Sequence, residues 1–161
     1  MQMEDTDDPA LWYALYRFVA NYWREVDRNG GEQAHEYYLP NALFAVGQNR
    51  FAGRDKIRVF YQQRRNRGFT TTRHTLANLQ VLPIDAGRVR VIGVLSLYRA
   101  DGRPPFHGAR APMLVADIDA ECALAEDGRW AFRSHVLHPL FVGSDIPYSL
   151  AIDPDQLPNT R

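Results

Sequence analysis

"TTRHTLANLQVL", Thr71 to Leu82, is the stretch where spacing by three and four gives way to spacing by two. Alternate side chains of a strand share a face, so the strand should carry His74 and Leu76 on one side. The same period runs through Arg88–Tyr98, Ala111–Leu124 and Arg129–Val142, which predicts four long strands in a row. The connecting segments "DAG", "DGRPPFHGAR" and "EDG" carry turn chemistry. Strands joined in this way pair most simply as an antiparallel meander.

Upstream the pattern is helical. Asp7 or Asp8 before Pro9 marks a helix start, because a carboxylate accepts from orphan backbone amides and proline at the first position loses no needed bond. Leu11, Leu15, Phe18, Val19, Tyr22 and Val26 then recur at three- and four-residue steps as far as "RNGG", whose glycines suit the left-handed turn that ends a helix. A short second helix, Glu32 to Tyr38, should end before Pro40. "NALFAVGQNRFAG" reads as two short strands around Gly47-Gln48-Asn49, and "GRDKIRVFYQQRRNRG" as a third helix burying Ile57, Phe60 and Tyr61. Helices first and long strands afterwards is an α+β order: three amino-terminal helices packed in a strongly curved, mainly antiparallel sheet, which leaves a cone with one open pocket. One domain should span 1–161, with a core over 8–142 and an irregular, proline-rich tail over 143–161 laid on the surface or on a neighbouring subunit.

Composition narrows the partners. Nineteen basic and nineteen acidic residues cancel, which removes the general attraction that nucleic-acid binders use. The run Arg64, Arg65, Arg67 is accordingly read as a solvated helix end. No apolar run approaches the roughly 20 residues that span a bilayer, so no membrane partner is expected. The start "MQMEDTDDPA" is acidic and lacks a signal-peptide core, which makes the cytoplasm the default compartment. The one cysteine, Cys122, forms no internal disulfide and is expected to pack between Ala120 and Leu124. Five scattered histidines show no metal-ligand spacing, so neither a metal nor another cofactor is expected.

Two positions leave alternatives open. His74 is either a half-buried histidine satisfied by a backbone carbonyl or a proton carrier facing a pocket. Asp27 lies on the last turn of the first helix, where the helix dipole disfavours negative charge; it is either solvated or held by a partner elsewhere. His35 is expected in solvent, with His107 and His138 structural.

"NYWREVDRNGGEQAHEYYLPNALF", "FAGRDKIRVFY", "TRHTLANLQV" and "EDGRWAFRSHVLH" together resemble the SnoaL-like group of the nuclear-transport-factor-like cone fold, to which scytalone dehydratase and ketosteroid isomerase belong. The resemblance covers roughly Leu11 to Val142. It implies Asp27 and His74 as an acid-base pair, the carboxylate fixing the tautomer and raising the basicity of the imidazole. Trp23, Phe44, Phe60 and Leu76 would wall the pocket, with Tyr22, Tyr38, Asp119 and His135 as polar binding groups. The isomerase pattern would need an aspartate where this chain has Val46, and the dehydratase pattern a second histidine near Tyr98–Asp101, where none stands.

For Asp119 the two approaches disagree. Alternation of Asp117, Asp119 and Glu121 with Ala116, Ile118, Ala120 and Cys122 turns the acids to water, whereas the resemblance turns Asp119 inward and leaves the apolar face for another subunit. The resemblance is followed here, with a homodimer or homotrimer through the outer sheet face. The implied activity is cofactor-independent dehydration or isomerisation of an aromatic or polyketide-like compound. The alternatives are a non-catalytic binder of a small hydrophobic or aromatic ligand, or an accessory small subunit like those of aromatic-ring dioxygenases.

Overall fold

The first helix, α1 (Pro9–Asn29), is bounded as its sequence requires. Asp8 Oδ1 accepts from the Ala10 N–H at 2.9 Å, and Gly30, at φ 64°, closes the other end with its N–H on Glu25 O. Leu15, Val19, Tyr22, Trp23 and Val26 form its buried stripe. The computed structural model describes residues 3–158; Met1 and Gln2 of the acidic start and residues 159–161 of the expected tail lie outside the described residues.

The expected second helix is shorter and tighter, a single 3-10 turn over Ala34–Tyr37. It cannot extend to Tyr38, because that residue already belongs to β1 (Tyr38–Val46) and pairs with Phe132. A two-residue turn leads to β2 (Asn49–Ala52), followed by α2 (Arg54–Asn66), which buries Ile57, Val59, Phe60 and Tyr61. Then come β3 (Thr70–Asp85), β4 (Arg88–Asp101), β5 (Leu114–Leu124) and β6 (Trp130–Val142). No helix among the described residues is long and apolar enough to cross a membrane.

The six strands form one sheet in the order β2-β1-β6-β5-β4-β3. β3 to β6 are the antiparallel meander read from the sequence, and β1 joins β6 in parallel. Curvature has a local cause in β3. The ladder to β4 shifts between Ala77 and Gln80, with Asn78 at φ 53°, so Thr72 is buried on one phase of the alternation and Leu79 and Val81 on the other. Gly93 lies opposite this bulge: a Cβ there would meet Ala77 O and Leu79 Cδ1, each at 3.1 Å. The missing side chain lets the two strands close at the bend.

The concave face supplies the core. Along β5, Leu114, Ala116, Ile118, Ala120 and Cys122 are all buried, while Asp117, Asp119 and Glu121 lie on the convex side. The apolar face of this strand is covered by the chain's own core, so alternation, not the family carry-over, gives its orientation. The tail is also more ordered than expected. A short helix, α3 (Tyr148–Ala151), is held to β2, with Asn49 Nδ2 donating at 2.8 Å to both Ser149 O and Ile152 O. The Tyr148 ring stacks on Phe60 at 5.5 Å, and Leu157 enters the core.

Candidate active site

Trp23 and Asp27 are four residues apart on α1 and therefore on one helical face. Both meet His74 of β3. Asp27 Oδ1 lies 2.6 Å from His74 Nδ1 and accepts from Thr72 Oγ1 at 2.9 Å, while Oδ2 accepts from the His74 backbone N–H at 2.8 Å. The carboxylate is thus fixed by three contacts on one strand. The Trp23 indole stacks against the imidazole at 4.2 Å, nearly parallel. The side chains of His74 and Asp27 are only 7% and 5% exposed, so the pair meets largely out of water.

Burial alone would raise the Asp27 carboxyl, but the hydrogen bonds and charge of His74, with Thr72, outweigh it and hold Asp27 below its ordinary range. For His74 the balance differs from the one expected. Burial depresses it, and the hydrogen bond and charge of Asp27 oppose this without overcoming it; nearby Arg64 adds to the depression. The result at neutral pH is a neutral imidazole donating from Nδ1 to a carboxylate. Its Nε2 therefore carries a lone pair, on a residue that lines the central cavity. This is the arrangement of a general base.

That cavity is walled by Trp23, Phe44, Val46, Phe60, Leu95 and Leu137, with Tyr61 and Tyr148 also lining it. Of the expected wall, Trp23, Phe44 and Phe60 are there; Leu76 is not, since it borders a surface depression with Tyr16 and Arg24 that meets the cavity only at Trp23 and His74. The β3 strand carries Leu76 past the cavity before its bulge. Asp119 is also elsewhere: it receives Arg90 Nε and Nη2, both at 2.8 Å, on the convex face, where Arg90 and Asp119 border a shallow depression with His138. Val46 does reach the cavity, so the isomerase's base position faces the expected space with a side chain that moves no proton.

Tyr22, Tyr38 and His135 lie behind the wall, all fully buried. Arg54 fixes the Tyr38 carbonyl from Nε and Nη2 at 2.8 and 2.6 Å. Tyr38 donates to Tyr22 Oη at 2.8 Å, Tyr22 shares a hydrogen bond with Tyr61, and His135 Nδ1 lies 2.8 Å from Tyr38 Oη. Burial, with His74 nearby, pushes His135 down to about 3, so it holds one ring hydrogen at neutral pH. Among the described residues His135 Nε2 is buried without a partner. An orphaned N–H costs more than an orphaned lone pair, which places the hydrogen on Nδ1. The chain then runs in one direction, from His135 through Tyr38 and Tyr22 to Tyr61. The Tyr61 hydroxyl is left as a free donor on a residue that lines the cavity.

Sequence spacing assigns Tyr61 a packing role only, since it marks the residue as buried and says nothing of its hydroxyl. Arg64 and Arg67, read as a solvated helix end, line the cavity, as does Arg99, which stands where the dehydratase pattern would need a second histidine. A balanced total charge does not reveal where the charges collect. His35 is half-buried, with Nδ1 lacking a partner among the described residues, and burial lowers its basicity; it is not the solvated residue expected.

A family model described as a SnoaL-like domain matches residues 12–136. Curated protein sequences gave no match. Among solved structures, a Novosphingobium aromaticivorans protein provisionally named a scytalone dehydratase superposes with a TM-score of 0.68 at 17% identity, over 82% of this chain and 85% of that one. A Catenulispora acidiphila protein in complex with S-DNPA gives 0.67 at 16%, over 82% and 95%. A second N. aromaticivorans protein, provisionally named the beta subunit of an aromatic-ring-hydroxylating dioxygenase, gives 0.70 at 12%, over 83% and 92%. At these identities the likeness is one of fold.

Proposed function

This chain belongs to the SnoaL-like domain family, and we propose that it is a cofactor-independent enzyme of dehydratase or isomerase type, acting on an aromatic or polyketide-like compound beside a carbonyl. The observation that carries the reading is the 2.6 Å contact between Asp27 and His74, with the second imidazole nitrogen left for the cavity. In the proposed step His74 Nε2 removes a proton from the carbon next to a substrate carbonyl. The carbonyl oxygen, gaining charge, takes the Tyr61 hydrogen bond that Tyr22 and Tyr38 polarise from behind. The proton then returns at another carbon, giving an isomer, or goes to a departing hydroxyl, giving water and an alkene. One histidine serves both transfers, since the chain has none at the second position of the dehydratase pattern.

Turnover of candidate hydroxy-ketones tests this. Wild type should convert them, and His74→Ala should lose about 10²-fold or more in kcat while still folding. Equal turnover by both proteins would remove His74 from the chemistry.

A second reading is a binder without catalysis, favoured by the aromatic lining of the cavity and by the ligand complex of the C. acidiphila protein. Ligand protection against heating with no product formed would favour it. An accessory-subunit role has its support in the dioxygenase beta subunit, and co-purification with a large iron-sulfur subunit would favour that role. A homodimer or homotrimer through the outer sheet face belongs to the enzymatic reading, with sedimentation velocity as its test.

A further inference from the structure

The cavity carries more positive charge than the proposed proton transfer uses. Arg64 and Arg67 of α2 and Arg99 of β4 line the same space as His74. Arg64 follows Tyr61 by three residues and so shares its face of the helix. It makes no salt bridge or side-chain hydrogen bond among the described residues, whereas the adjacent Arg65 donates to Gly30 O. Asp27, the acid closest to hand, is already held by His74 and Thr72. Arg99 has Asp101 Oδ1 at 2.9 Å, but that carboxylate is 83% exposed, and water screens most of its effect. Arg67 lies over the Tyr148 ring at 4.4 Å. Burial, with Arg99 as a nearby like charge, lowers the Arg64 guanidinium from its ordinary value despite the opposing pull of Tyr61 and Asp27. Among the described residues Arg64 has no anion of its own and Arg99 only a water-screened one, and both line a cavity of largely apolar and aromatic side chains.

Guanidinium groups match the planar fork of a carboxylate, and partial removal from water strengthens that match. We infer that the cavity takes an aromatic ligand bearing a carboxylate, its oxygens held by Arg64 and Arg99 and its ring against Trp23 and Phe60. His74 is left facing the carbon skeleton. The inference rests on taking this cavity as the functional site, as in the proposed function, but the binding requires no chemistry.

Calorimetric titration of the full chain with benzoate, its neutral isostere benzamide and inorganic phosphate tests the inference. Benzoate should bind roughly tenfold or more tightly than benzamide. Arg64→Gln and Arg99→Gln should each remove most of that preference and leave benzamide binding in place. Arg90→Gln, on the convex face, should preserve it. Equal affinities in wild type, a preference unchanged in both cavity variants, phosphate bound as tightly as benzoate, or no binding of either aromatic at millimolar concentration would each overturn the inference. If Arg64→Gln does not fold, the wild-type comparison and Arg99→Gln still decide. Turnover dependent on His74 without charge preference would sink this inference alone; charge preference with turnover indifferent to His74 would sink the enzymatic reading alone.

Discussion

Two imidazoles share one core and are held in different ways. His74 gives its Nδ1 to a carboxylate, while His135 gives its own to a tyrosine and has no acid beside it. His135 therefore resists protonation far more than a histidine of the unfolded chain, burial pushing it down from 6.5 to about 3. Between those values the unfolded chain binds one proton more than the folded protein does, so stability falls as pH falls through this window. The loss from His135 is on the order of 4 kcal/mol. Asp27 and His74, both lowered, add to it in the same direction. Urea unfolding from pH 7 to 3.5 should show this acid limb, and His135→Phe should flatten it; an unchanged limb would place its source elsewhere. The dyad was legible in the sequence because family spacing ties a helix end to a strand 47 residues later. Asp119 was legible from alternation alone and was misplaced by carry-over. Arg64 and Arg99 were not legible, because no local pattern tells a solvated cation from one facing a cavity.

At the scale of the element, β3 shows how far periodicity carries. It marked the strand and put His74 beside Leu76, but one positive-φ residue, Asn78, changes the phase, and a single asparagine within an otherwise alternating run gives little warning of a bulge. Gly93 is the counterpart of that bulge. Gly93→Ala should cost about 1–3 kcal/mol by overpacking against the Ala77 carbonyl and Leu79, measured by urea unfolding. A neutral result would mean the strands can part at the bend without loss. The helices were legible almost to the residue where a cap fixed them, at Asp8 and Gly30, and least so at the 3-10 turn, where pairing of Tyr38 with β6 overrides the local preference.

For the whole molecule, the meander could be read because each turn joins neighbours, while the parallel join of β1 to β6 links segments about 90 residues apart and has no local signature. The same holds for the tail, whose prolines suggest irregularity but not its place. Asn49, in the turn-proximal end of β2, holds it by two carbonyls. Asn49→Ala should therefore speed hydrogen exchange at the amides of Leu150, Ala151 and Ile152, which bond only within the short helix and its cap. Unchanged protection would mean that Tyr148 and Leu157 suffice to anchor the segment.

With its aromatic ring over Phe60 and its backbone clasped by Asn49, the carboxyl-terminal segment is part of the cavity wall and not an appendage. A reporter grafted into α3 would load the same clasp and disturb the environment under study, so kinetic and titration work belongs on protein that leaves this segment untouched.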